Sequence, residues 1–108
     1  MKFVIAILMA VAIPAHAELI PRFTGDVLMA LASKPEYKAT VTGYIAGIHD
    51  ANFNDTVCPK KPMAYGEIRE RVLEVMRANP QNNHHPAGPL VYGTLTGLFP
   101  CPKLKGAI

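Results

Sequence analysis

Cys58 and Cys101 are the only two cysteines in this chain, and both lie beyond an N-terminal stretch that reads as an export signal. Lys2 supplies the charged end, Phe3 to Ile13 is an apolar run, and Ala15-His16-Ala17 places small residues where cleavage before Glu18 would need them. Export to an oxidising compartment makes an internal Cys58–Cys101 disulfide the expectation, with unpaired buried thiols or a bridge between chains as the alternatives. Loop-closure entropy assigns a bridge of this span about 4 kcal/mol, a large share of the stability of a small core. The apolar run is too short to span a bilayer, and no later segment is apolar enough, so no membrane insertion is expected. The organisation read from the sequence is a signal peptide over residues 1–17 and one domain over residues 18–108.

The formal charge of +3 falls to +2 once Lys2 is removed, which describes a mildly basic protein and not a polycation, so nucleic acid is not an expected partner. Half of the residues are hydrophobic and their periodicity is clear, which excludes a disordered chain. No internal repeat or low-complexity tract is read.

Beyond the signal the apolar spacing is helical throughout, and the punctuation separates about four short helices: an all-α, compact bundle stapled by one disulfide. The first is expected over Gly25–Ala32, capped by Thr24, with Asp26 in its first turn. The second spans about Glu36 to Asn52, with Tyr37, Val41, Tyr44, Ile45 and Ile48 on one stripe. Gly43 and Gly47 lie on another, each costing about 1 kcal/mol against alanine. Their missing side chains imply close approach of another helix, within the chain or across a subunit seam, with Tyr44 beside them. The third runs from Tyr65 to Ala78, with Tyr65, Ile68, Val72, Val75 and Met76 inward and a Glu67–Arg71 pair on the outer face. Asn79-Pro80 stops it, and the polar connection Gln81 to His85 leads to a fourth helix starting at Pro86 or Pro89. Leu90, Val91, Leu95, Leu98 and Phe99 are its buried stripe. Each helix is too short to persist alone and must pack on the others.

A bridge between the cysteines gathers Lys60, Lys61, Lys103 and Lys105, which reads either as a positive patch for an acidic partner or as ordinary solvated loops. Nothing supplies a nucleophile with its base or a set of metal ligands, so no catalytic, cofactor-binding or metal residues are assigned and the chain is not read as an enzyme. His49 and Asp50 are helix neighbours pointing about 100° apart, which argues against a dyad. His84 and His85, adjacent in a loop before a proline, read as capping or exposed residues.

From the second helix to the tail, the order of Gly43-Tyr44-Ile45-Ala46-Gly47-Ile48, Asp50, Cys58-Pro59, Tyr65-Gly66-Glu67-Ile68, Asn79-Pro80, His84, Pro86, Leu95 and Phe99-Pro100-Cys101-Pro102 resembles the Rap/Tai family of immunity proteins of bacterial type VI secretion systems. Two departures stand out. Many members carry a further cysteine pair joining the first two helices, where this chain has Ala32-Ser33 and Val41-Thr42. Ala64 stands where a threonine usually caps the third helix, although Glu67 keeps half of a capping box.

The resemblance implies a periplasmic protein that neutralises a secreted toxin or effector, often a peptidoglycan amidase, by occluding its active site, commonly as a homodimer. The motif does not say which loops bind. The residues expected to contact the partner are Lys60, Lys61, His84, His85, Lys103 and Lys105. The rival reading is a small disulfide-bonded periplasmic chaperone of the acid-stress type. A third is an unrelated exported helical domain, since a fold does not dictate a function.

Overall fold

The computed structural model describes residues 22–103. The expected signal peptide and Lys105 lie outside the described residues. Four helices follow one another: α1 (Gly25–Ala32), α2 (Lys38–Ala51), α3 (Tyr65–Ala78) and α4 (Ala87–Leu98), with short 3₁₀ turns at Pro35–Tyr37 and Pro80–Asn82. Among the described residues there is no strand, and every helix packs on the other three around one core.

α1 starts as its residues dictate, Thr24 Oγ1 accepting from the Val27 N–H at 3.3 Å. α2 starts two residues later than the periodicity placed it, because Pro35 drives a 3₁₀ turn that takes in Glu36 and Tyr37. Tyr37 is therefore exposed and is not part of the buried stripe, which consists of Val41, Ile45 and His49 with Tyr44 and Ile48 half-buried. α3 spans the expected residues, but Ala64 offers its N-terminus no side-chain cap. Its buried residues are Ile68, Val72, Leu73 and Met76; Leu73 joins the core, while Tyr65 stays outside it. Glu67 and Arg71 do not pair. Arg69 instead lies against Glu70 Oε1 at 3.1 Å and donates to Thr42 Oγ1 at 2.8 Å, bonding α3 to α2. Pro86 flanks α4 and Pro89 occupies its first turn.

The close approach that calls for a glycine is at Gly25. A Cβ there would stand 2.5 Å from Leu90 Cδ2 and 2.9 Å from the Asn83 carbonyl oxygen. The start of α1 is laced to the segment before α4 by three backbone bonds: Gly25 N–H to His85 O, Asp26 N–H to Asn83 O and Ala87 N–H to Phe23 O. Buried Asn83 completes the joint, its Nδ2 donating to the Met76 carbonyl at 3.0 Å. At Gly43 and Gly47, by contrast, no atom beyond the chain neighbours and the helix's own backbone lies within 4 Å of an added Cβ. The expected packing of another helix of the same chain on these glycines is corrected: they sit on the solvent side of α2.

A repeat not read from the sequence emerges in the fold. Val41-x-Gly43-x-Ile45-x-Gly47-Ile48-His49 on α2 matches Val91-x-Gly93-x-Leu95-x-Gly97-Leu98-Phe99 on α4, and burial agrees position by position. The two helices present the same apolar face to the core and the same open glycines outward, so His49 occupies the place that Phe99 fills with an apolar ring.

Candidate functional site

Cys58 and Cys101 form the expected bridge, with Cα atoms 4.8 Å apart. The loop between α2 and α3 is built to meet it. Asn52 closes α2, its side chain donating to the Ile48 carbonyl at 2.7 Å, while its own carbonyl accepts the N–H groups of Asp55, Thr56 and Val57. Asn54 adopts φ 62°, a left-handed conformation that asparagine tolerates. Val57 is fully buried, and the Cys58 N–H donates to the Phe99 carbonyl at 2.8 Å, so apolar anchor, hydrogen bond and disulfide all hold one point of the loop to the end of α4.

From that anchor the chain runs through Pro59, Lys60, Lys61, Pro62 and Met63 into α3, between two depressions. One, of about 430 Å³, is lined by the disulfide end, Arg71, Leu98 and Phe99; the other, of about 490 Å³, by His49, Asp50, Phe53, Tyr65 and Ile68. Lys60 and Lys61 border both and are exposed.

The second cleft holds a polar cluster that the helical-wheel argument dismissed. His49 and Asp50 do meet: His49 Nδ1 donates to Asp50 Oδ1 at 3.0 Å, and the Tyr65 hydroxyl donates to Asp50 Oδ2 at 2.6 Å. Side chains long enough to bend towards each other defeat the 100° offset of their Cα–Cβ bonds. The hydrogen bonds from Tyr65, first, and His49 lower the Asp50 pKa below the ordinary carboxylate value, and the same carboxylate raises that of Tyr65. Because the carboxylate only accepts, Nδ1 supplies the hydrogen of this contact, and Nε2, buried in a residue 5% exposed, has no partner. Leaving a buried polar atom unanswered costs about 1–3 kcal/mol. Phe53 and Tyr65 flank the cluster at 51% and 48% exposure, with ring centroids 5.6 and 6.4 Å from the imidazole. Tyr65 was expected in the core and Phe53 had no expected role: the turn after α2 places Phe53, and the bond to Asp50 holds Tyr65 at the surface.

His84 and His85 are exposed at the opposite joint, their ring centroids 4.0 Å apart and the planes tilted by 37°, beside the backbone bonds that tie α1 to α4. Lys103 is exposed two residues past the bridge. Tyr44 packs edge-on against Phe23 at 5.0 Å, and burial raises its pKa. Among the described residues no three of His, Cys, Asp and Glu converge as metal ligands, and no helix is long and apolar enough to cross a membrane.

The family model of the Rap1a immunity proteins matches residues 24–101, from the cap of α1 to the second cysteine of the bridge. The chain belongs to this immunity family. The match covers all four helices and the stapled loop, more than two thirds of the chain. No curated protein and no solved structure matches it. The matched family is not a known enzyme family.

Proposed function

We propose that this chain is a periplasmic immunity protein that binds a type VI secretion effector, a peptidoglycan amidase, and shuts off its active site by occlusion. The observation that carries the reading is the family match across the whole helical domain, including both disulfide positions. Residues 1–17 direct export, and the bridge forms where the effector is met. The catalytic chemistry belongs to the effector; this chain supplies a rigid surface, and rigidity limits the ordering cost of binding.

The proposed contact surface is the lysine loop, Lys60 and Lys61, with Lys103 and Lys105 following the second cysteine. His84 and His85 form a further contact edge at the other joint. A homodimer would use the exposed face of α2 at Gly43 and Gly47, which no other part of the described chain covers. The family match favours this reading over that of an acid-stress chaperone.

The test is inhibition in solution. The oxidised protein, added at one equivalent to a purified amidase effector from the same host, abolishes release of cleaved peptide from peptidoglycan sacculi. Undiminished cleavage at tenfold excess contradicts the reading.

A further inference from the structure

Among the buried unpartnered polar atoms of the described residues, His49 Nε2 belongs to a residue lining a cleft, the one between the end of α2 and the lysine loop. The equivalent core place on α4 is filled by Phe99, so packing alone asks for no polar atom here. The cleft's carboxylate is already answered on both oxygens, by His49 and by the Tyr65 hydroxyl. Neither Lys60 nor Lys61 pairs with a carboxylate of the described residues. The charge on offer in the cleft is therefore positive, and it stands beside Phe53 and Tyr65, two large rings about half exposed.

We propose that this cleft receives an acidic loop of the partner protein, an apolar side chain of that loop resting on Phe53 and Tyr65 while its carboxylate meets Lys60 and Lys61. This rests on the immunity reading and names the chemistry of the partner's contacting segment. The arrangement suits recognition because the rings are positioned before binding. The Asp50 carboxylate pins the Tyr65 hydroxyl, and the anchored turn at Asn52 to Cys58 fixes the backbone at Phe53. Rigid aromatic anchors with an unpaired charge at the rim are the composition of an interface hot spot. A free anion such as phosphate would use the lysines without the rings, whereas a peptide carboxylate flanked by apolar side chains uses both.

The test is a nitrogen-15 NMR titration of the oxidised, periplasmically produced protein with acetyl-Leu-Asp-Glu-Leu-amide, against acetyl-Leu-Lys-Lys-Leu-amide and inorganic phosphate. The acidic peptide moves the amides of Phe53, Lys60, Lys61 and Tyr65 saturably, and the basic peptide does not. Reversing both cleft lysines, Lys60→Glu with Lys61→Glu, weakens the acidic peptide by about tenfold or more. The same charge change made elsewhere, Lys34→Glu with Lys38→Glu, leaves it within twofold, and Phe53→Ala weakens it while the spectrum stays that of the folded protein. Equal shifts from phosphate, equal response to the basic peptide, or shifts centred on other residues overturn the proposal. None of these outcomes depends on amidase inhibition, so this proposal and the immunity reading fail separately.

Discussion

At the scale of single residues, two kinds of glycine separate. Gly25 has backbone atoms pressed against the place of its absent Cβ, so Gly25→Ala costs about 1–3 kcal/mol of overpacking and lowers the thermal midpoint. Gly43 has open space there in the single chain, so Gly43→Ala gains about 1 kcal/mol of helix propensity at dilutions where the proposed dimer is absent. Calorimetry of the two variants reads opposite signs. Sequence alone pointed to Gly43 and Gly47, because two glycines inside a helix attract notice and one at a helix start does not. What distinguishes Gly25 is Asn83, far along the chain, which only the fold brings near. The Asp50–Tyr65 bond makes a pH prediction. Asp50 is lowered in the folded state, so its contribution is present above the ordinary carboxylate range and is lost as pH falls through the lowered value. Tyr65 is raised, so the bond is lost again as pH rises through that higher value. Asp50→Asn flattens both limbs of the stability profile; an unchanged profile contradicts the assignment.

At the scale of elements, apolar periodicity and punctuation placed α1 and α3 at their observed bounds, since Thr24 caps one and Asn79-Pro80 ends the other. They failed where a local rule competed. The proline at residue 35 turned the expected first residues of α2 into a 3₁₀ turn, and Tyr37 left the stripe with them. The tyrosine at the start of α3 looked like core by spacing, yet its hydroxyl is satisfied by Asp50 at the surface, so its ring stays half out. The missing cap of α3 is repairable. Ala64→Thr supplies an acceptor to the first turn and raises stability by about 1 kcal/mol, read as a shift in denaturant midpoint at constant slope.

At the scale of the whole molecule, the disulfide and the fold reinforce each other. The bridge was readable from two cysteines and an export signal; the cleft beside it was not, because His49, Phe53, Lys60 and Tyr65 come from helix end, turn, loop and helix start, and no spacing rule links them. Replacing both cysteines, Cys58→Ser with Cys101→Ser, costs about 4 kcal/mol in the chain-entropy account. The Val57 anchor and the Cys58–Phe99 hydrogen bond remain, so the variant keeps its helical circular dichroism at low temperature while its thermal midpoint falls. An unchanged midpoint would mean that those two contacts alone hold the loop. The measurement that bears most directly on the immunity claim is survival. Cells exporting an amidase effector of the same host to their own periplasm are scored for lysis with and without this chain co-exported. Immunity predicts growth with the wild-type chain and lysis with Lys60→Glu, Lys61→Glu at equal periplasmic levels. Lysis despite abundant, oxidised wild-type protein would contradict the account.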